Sequence, residues 1–252
     1  MIFLVALRKE LFEQRRSYRL LVVVVVLLAF GLMSPLTAKL TPELIGLLPN
    51  GEEIAKLIPS PTTADAVAQY LKNGSQFGVL LALLMTMGVV VQEKDKGTAA
   101  LVLVKPMPRS VFLWAKFVAL GVRFAVGIVI AGVACYYYTL VLFEALDVLC
   151  WLALNGLLLL LVLVYVALTL LCSTVSNSQV MAGGLGFGFV ILLGGIGAIP
   201  RVGEFLPGQL LAWGAGLVAG STETAWPALW VSVGIIIAAL VGAWAIFERQ
   251  EF

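Results

Sequence analysis

The sequence contains no histidine and little charge. None of its 252 residues is histidine, and only 12% are Asp, Glu, Lys or Arg. The lack of histidine excludes Ser-His hydrolysis, histidine acid–base catalysis and the usual histidine ligands of zinc and haem. No GxxxxGK(S/T) motif occurs either, so the chain cannot bind ATP through a phosphate loop. We therefore expect no catalytic residue, no metal site and no cofactor within this chain.

Cysteine is scarce and unpatterned. Cys135, Cys150 and Cys172 lie in or beside apolar runs, with no CxxC pair and no metal-type spacing. We expect them to pack as small apolar side chains rather than to form a disulfide framework. The formal net charge of +2 gives no reason to expect a nucleic-acid partner.

Long apolar runs dominate the sequence. Hydrophobic residues make up 62% of the chain, and several runs exceed the roughly 18 residues that mark a spanning helix. The predicted fold class is an all-α polytopic membrane protein, a single transmembrane domain over residues 1–252. Six transmembrane helices are predicted: Leu20–Leu36, Phe77–Val91, Val111–Leu142, Val148–Cys172, Val180–Ile199 and Ala225–Phe247.

The positions of Lys and Arg predict the orientation, because cytoplasmic flanks retain positive charge. Ten such residues lie before the first span, after the second or early in the third: Arg8, Lys9, Arg15, Arg16, Arg19, Lys94, Lys96, Lys105, Arg109 and Lys116. The opposite side has only Lys39, Lys56, Lys72 and Arg201. Both termini are therefore predicted to be cytoplasmic. We expect the membrane to be a bacterial or archaeal cytoplasmic membrane.

The first 19 residues have the pattern of an amphipathic helix. Apolar side chains recur at helical spacing, and Arg8, Lys9, Arg15 and Arg16 lie largely on the other side. This pattern predicts an interfacial helix along the inner leaflet. A basic flank that only fixes the topology is the alternative.

Two segments are predicted on the outer side. The loop over residues 37–76 is divided by prolines and contains a capping-box pattern, Thr62 to Asp65, that predicts a helix ending at Asn73-Gly74. Residues 200–224 include an apolar, glycine-rich stretch that is too short to cross the membrane. That stretch predicts either a re-entrant segment or an interfacial helix.

The fifth span is rich in glycine, and Gly184 and Gly188 form a GxxxG pair. Small residues at this spacing let helices approach closely. The pair therefore predicts tight helix packing, within the subunit or across a dimer.

A polar island separates the second span from the third. Gly97 is placed to end the extension of the second span, and Thr98 to begin a short helix over residues 99–104. Pro106 ends that helix, which leaves Leu101, Leu103 and Val104 available for the groove of a soluble partner. Because the island lies between lipid-compatible spans, it is the predicted docking surface.

The island resembles a pattern found in ABC type 2 permeases. The matching positions are Glu93, Gly97, Thr98, Leu101, Pro106, Pro108, Arg109 and Lys116. The resemblance implies the permease subunit of an ATP-binding cassette transporter, generally an exporter, in which two permease copies or homologues act with two cytoplasmic ATPase subunits. ATP and Mg would belong to those ATPases. Residues 92–110 would form the coupling segment, with Glu93 and Arg109 as polar contacts or braces.

Two readings of the function remain open. The chain is either a permease driven by a partner ATPase, or a membrane scaffold or mechanical transmitter that is coupled to an ATPase without carrying a solute. An intramembrane enzyme is a distant third. Arg123 is the ionisable residue nearest to mid-span, but it lies close enough to the inner end of the third span to extend its side chain to that interface. No span displays a selective polar site, so the sequence predicts no substrate-binding residues.

Overall fold

Helices account for most of the described chain. The computed structural model describes residues 2–47, 59–95 and 108–250, and these ranges contain no strand. Their α-helices are α1 (Ile2–Arg16), α2 (Arg19–Gly46), α3 (Thr63–Thr86), α4 (Val91–Asp95), α5 (Arg109–Leu142), α6 (Val148–Val175), α7 (Gln179–Gly197), α8 (Gln209–Val218) and α9 (Trp226–Glu248). A 3-10 turn covers Gly203–Phe205. The predicted all-α fold class is confirmed.

Six helical segments in the described ranges are long and apolar enough to cross a membrane. They are α2, α3 together with α4, α5, α6, α7 and α9. These six match the six predicted spans, although several helices extend beyond the predicted ends. The chain is a multi-pass membrane protein.

Helix α6 forms the centre of the bundle. It packs against α3, α5, α7, α8 and α9, while α2 packs between α3 and α5. The main core includes Val23 on α2, Phe124 on α5, and Leu154 and Leu158 on α6. In the most apolar 18-residue stretch of α6, 67% is buried inside the protein, whereas the corresponding stretch of α7 is only 11% buried. Helix α7 is therefore peripheral in a single copy of the chain.

The first span does not end at Leu36 as predicted. Helix α2 continues through Pro35 and Pro42 to Gly46. Each proline removes one helical hydrogen bond, which membrane helices tolerate where the surrounding protein accommodates it. The residue before each proline binds a carbonyl one turn back: the Ser34 Oγ donates to the Phe30 carbonyl at 2.5 Å, and the Thr41 Oγ1 donates to the Thr37 carbonyl at 2.6 Å.

The helix that begins at Thr62 is also longer than predicted. The capping box is present, with the Thr62 amide donating to the Asp65 Oδ2 at 2.8 Å. The predicted stop at Asn73-Gly74 is wrong, because α3 continues without a break into the second span. A Cβ added at Gly74 would lie 3.1 Å from the Leu158 side chain. This glycine thus allows α3 to approach α6 closely instead of ending the helix.

The segment before the last span folds back onto the bundle. After the 3-10 turn, α8 packs against α6, with Leu210 fully buried. A Cβ added at Gly214 would lie 3.3 Å from the Leu154 side chain, so α8 lies close to the backbone of α6. Its packing fits both the re-entrant and the interfacial interpretation, which stay predictions.

The GxxxG pair on α7 contacts no other part of the described chain. A Cβ added at Gly184 or Gly188 would meet nothing within 4 Å. By contrast, one added at Gly186 would lie 3.3 Å from the Thr169 Oγ1 on α6. The pair therefore does not mediate packing among the described helices, and its role across a dimer stays a prediction.

Candidate functional site

The second span is interrupted just before the polar island. Helix α3 ends at Thr86, and α4 begins at Val91. Across this break, the Ser173 hydroxyl on α6 accepts hydrogen bonds from the Val90 and Val91 amides at 3.1 and 3.3 Å. It also donates to the Met87 carbonyl at 2.9 Å. One hydroxyl from α6 thus holds the irregular backbone and orients α4.

Only the two ends of the predicted coupling segment are described. Glu93 lies on α4, Pro108 is the N-cap residue of α5, and Arg109 is its first helical residue. The other predicted docking residues lie outside the described residues, in the range 96–107: Gly97, Thr98, Leu101, Leu103, Val104 and Pro106. Their proposed role as a short docking helix stays a prediction.

Glu93 joins three helices in one ion-pair network. Its Oε1 lies 2.7 Å from the Lys116 Nζ on α5 and 3.8 Å from the Lys9 Nζ on α1. The Lys116 Nζ also lies 3.1 Å from the Oε1 of Glu10 on α1. The network thus links α4 to both the amphipathic helix and the third span.

Lys116 is the most buried member of this network. Its side chain is 2% exposed, against 13% for Glu10 and 16% for Glu93. Its Nζ also lies 4.7 Å from the centre of the Phe112 ring, within cation–π range. A buried ammonium is tolerated only when it is paired, so the two carboxylates are needed to keep it there.

Lys9 lies at the exposed edge of the same network. Burial lowers the pKa of Lys9, but the carboxylates of Glu10, Glu93 and Glu13 raise it by more, so the net shift is upward. The group therefore stays charged at neutral pH. One carboxylate oxygen from each of Glu10, Glu13 and Glu93 lies within 4.8 Å of the other two. Lys9 and Lys116 neutralise much of the negative charge of this group.

Arg109 ties the other end of the coupling segment to the last span. Its Nη1 donates to the carbonyl oxygens of Phe247, Glu248 and Gln250 at 2.7, 2.8 and 2.8 Å. The Phe247 and Glu248 carbonyls belong to the C-terminal end of α9, and Gln250 follows it directly. Acceptors at a helix C-terminus lack helical partners, and a cation there is favoured by the helix dipole. Phe112 stacks on Phe247 at a centroid separation of 5.4 Å, which reinforces the contact between α5 and α9.

The end of α6 completes this site. The Thr174 carbonyl accepts hydrogen bonds from the Lys94 Nζ on α4 and, at 3.1 Å, from the Gln250 Nε2. On α4, the Gln92 Nε2 donates to the Gln179 Oε1 on α7 at 2.8 Å, and the Gln92 Oε1 accepts from Arg19 at 3.3 Å. Helices α1, α2, α4, α5, α6, α7 and α9 therefore meet around the two ends of the coupling segment.

A cavity of about 560 Å³ opens beside the ion-pair network. Lys9, Glu10, Glu93, Lys116 and Arg123 are among its lining residues. The sequence suggested that Arg123 would extend to the inner interface, but its side chain is 4% exposed and lies between α1 and α5. It is held inside the protein because α1 covers this part of α5.

Among the described residues, the arrangement consists of ion pairs and hydrogen bonds that tie helices together. A family model described as ABC-2 family transporter protein matches residues 4–252. The chain belongs to the ABC-2 transporter family. It is also similar to the Bacillus subtilis (strain 168) protein named "Uncharacterized transmembrane protein YxlG". The two are 28% identical over 217 residues, which cover 83% of this chain and 82% of the relative.

Membership of the ABC-2 family makes this chain the membrane subunit of an ABC transporter and not its ATPase. Such permeases generally work with an ATPase partner. The family resemblance stated from the sequence is therefore confirmed, and the roles of the individual residues from Glu93 to Lys116 stay predictions.

Two residues of this site, Glu10 and Ser173, had no separate signal in the sequence, whereas Lys116 belonged to the family pattern but its partners did not follow from it. Glu10 and Lys116 are 106 positions apart and become partners only when α1 packs on α5. Ser173 is one of several hydroxyl residues near the end of the fourth span, and nothing in the sequence distinguishes it. The only hint was the presence of carboxylates among many cations in the first 19 residues.

Proposed function

We propose that this chain is the permease subunit of an ATP-binding cassette exporter and that residues 92–110 couple it to a cytoplasmic ATPase. Two permease copies, identical or homologous, would act with two ATPase subunits, which bind ATP and Mg. The observation that carries this proposal is that the two ends of the coupling segment are tied to different helices. Glu93 is braced to α1 and α5, and Arg109 to the end of α9.

These braces support a mechanical role for the coupling segment. A push on residues 96–107 would reach α5 through Lys116 and directly at Arg109, where α5 begins. It would reach α9 through the three carbonyl groups that bind the Arg109 guanidinium. Charge-assisted hydrogen bonds of this kind are short and directional, so they transmit displacement better than a solvated loop. Closure of the ATPases would thereby move α1, α5 and α9 together.

The same end of the bundle would face the cytoplasm. The basic residues of α1, both ends of the coupling segment and the end of α9 meet there, and cytoplasmic flanks carry the excess of Lys and Arg. Both termini would then be cytoplasmic, and residue 64 would lie outside. Cysteine substitution at Asp95 and Ala64, in a variant whose three native cysteines are replaced, tests this with a membrane-impermeant thiol reagent. Labelling of position 64 from the cytosol would contradict the proposed orientation.

A second copy would use the exposed face of α7. Gly184 and Gly188 have no neighbour within 4 Å in the described chain, and small residues allow close helix approach in membranes. Cross-linking between copies through a cysteine at Gly184 would support a permease dimer at this face. Cross-linking of the purified chain through Ala64 but not through Gly184 would argue against it.

Substitution in the coupling segment tests the ATPase contact. We expect Leu101→Asp and Leu103→Asp to abolish recovery of the ATPase with the tagged chain from native membranes, because a charge would enter an apolar contact. Leu47→Asp is the matched control, since Leu47 is 82% exposed at the end of α2 away from the coupling segment. Normal ATPase recovery with both Leu101→Asp and Leu103→Asp would contradict the docking proposal.

The same preparation distinguishes a transporter from a transmitter. For an exporter, we expect ATP hydrolysis by the recovered complex to rise when its substrate is added to proteoliposomes, and the substrate to accumulate on the side opposite the ATPase. An ATPase that co-purifies in fixed ratio, but for which no solute screen changes hydrolysis, would favour the scaffold or mechanical transmitter.

A further inference from the structure

A groove of about 570 Å³ runs between α1 and α5 on the surface of the bundle. Its apolar wall includes Leu4 and Phe12 on α1, which are 66% and 60% exposed. Val122 and Val126 form the facing wall on α5, at 41% and 39% exposed. Four exposed apolar side chains on two facing walls form a surface suited to contact with lipid hydrocarbon chains.

The polar lining of the groove carries charge of one sign. Arg8, Arg15 and Arg123 line it, whereas no Asp or Glu does. The neighbouring cavity beside Lys116 is different, because its lysines are paired with Glu10 and Glu93. Among the described residues, the groove therefore combines three arginines with apolar walls, which is the complement of an amphiphile with an anionic head.

Arg123 carries the argument further, because it is buried and neither Glu10 nor Glu13, which line the neighbouring cavity with it, comes close enough to form an ion pair. The side chain is 4% exposed, and its Nε and Nη1 are buried and form no hydrogen bond. None of the ion pairs found within 4.0 Å among the described residues involves it. A buried cation in this situation is costly unless an anion pairs with it. Guanidinium groups favour phosphate oxygens, which they bind through two parallel hydrogen bonds.

We propose that this groove is a binding site for an anionic phospholipid. The Arg123 guanidinium binds the phosphate inside the groove, and Arg8 and Arg15 attract the head group from the rim. The acyl chains lie along Val122, Val126 and the exposed apolar face of α1. The bound lipid thereby links the amphipathic helix to the third span, close to the ion-pair network but separate from the coupling segment.

The test is a titration of the detergent-solubilised full chain with phosphatidylglycerol in a neutral detergent. Binding is followed by native mass spectrometry and by the unfolding temperature. We expect saturable binding that is at least about tenfold tighter than that of phosphatidylcholine, and at least about tenfold weaker in Arg123→Gln, since one charge-assisted hydrogen bond is worth about that factor. Inorganic phosphate at the same concentrations should neither stabilise the chain nor displace the lipid.

Two further variants make the result specific. Val126→Phe narrows the groove without removing a charge and should weaken binding by a similar factor, even if Arg123→Gln folds poorly. Arg249→Gln removes the same charge from an exposed site outside the groove and should leave binding unchanged. Wild-type affinity in both Arg123→Gln and Val126→Phe would overturn the proposal, as would an equal loss in Arg249→Gln. Stabilisation by inorganic phosphate equal to that by the lipid would overturn the assignment to a lipid.

Discussion

Replacing Lys116 by methionine should destabilise the protein more than its small volume change suggests. The substitution keeps an unbranched side chain against Phe112 but removes the ammonium that lies 2.7 Å from Glu93 and 3.1 Å from Glu10. Two carboxylates that are largely buried would then face each other across the vacated position. Lys9 remains nearby, but its Nζ is 3.4 Å from Glu10 and 3.8 Å from Glu93, and its side chain is 46% exposed.

The size of the effect follows from this geometry. Removing one partner of a buried ion pair costs about 3–5 kcal/mol. Lys9 still compensates part of the negative charge. We therefore expect Lys116→Met to lower the free energy of unfolding by about 2–3 kcal/mol, which is less than for a fully uncompensated pair. For a chain of this length, such a loss corresponds to a fall of roughly 5–10 °C in the unfolding temperature. Lys9→Met should cost less than about 1 kcal/mol, as for an exposed pair.

The native cysteines provide the assay. Cys135 and Cys172 are buried, so a thiol-reactive fluorophore reports their exposure as the detergent-solubilised protein is heated. A variant that combines Lys116→Met with Glu10→Gln and Glu93→Gln carries no unpaired carboxylate at these positions and should recover at least half of the lost stability. The reasoning would be refuted if Lys116→Met were no less stable than Lys9→Met, or if neutralising both glutamates recovered nothing.

Two other predictions use the same heating assay. Tyr70→Phe removes the hydroxyl that donates to the Asn155 Oδ1 at 2.6 Å between α3 and α6, and should cost about 1 kcal/mol; an unchanged unfolding temperature would contradict this. Gly31→Ala should cost about 1–3 kcal/mol, because its Cβ would lie 2.7 Å from the Ala131 carbonyl oxygen, whereas Gly184→Ala meets nothing within 4 Å and should leave the monomer unaffected. Equal stability of the two alanine variants would show that the crossing of α2 and α5 is looser than described.

The apolar runs and local signals predicted much of the fold. The six membrane helices follow from hydrophobic length alone, and α1 follows from its amphipathic period. The start of α3 was predicted from Thr62 and Asp65, because a capping box is formed by residues three positions apart. Such features depend on neighbours in the sequence, so they need no knowledge of the packing.

The errors occurred where distant residues decide the local structure. Gly74 looked like a helix stop, but Leu158 on another helix makes it a packing position. Arg123 looked able to reach the interface, but α1 lies over it. For the functional site, Glu93 and Arg109 were predicted as polar contacts or braces from the family resemblance. Their partners, Lys116 for one and the carbonyl groups of α9 for the other, required the three-dimensional arrangement.

The contact between Arg109 and the end of α9 also sets an order of events during biosynthesis. Arg109 lies near the middle of the chain, but its acceptors are the carbonyl groups of residues 247, 248 and 250. Domains form progressively as a chain is synthesised from its N-terminus, and these acceptors are made 138 to 141 residues after Arg109. This end of the bundle can therefore reach its final braced form only after the last span has been made, so a chain truncated before Phe247 lacks this brace.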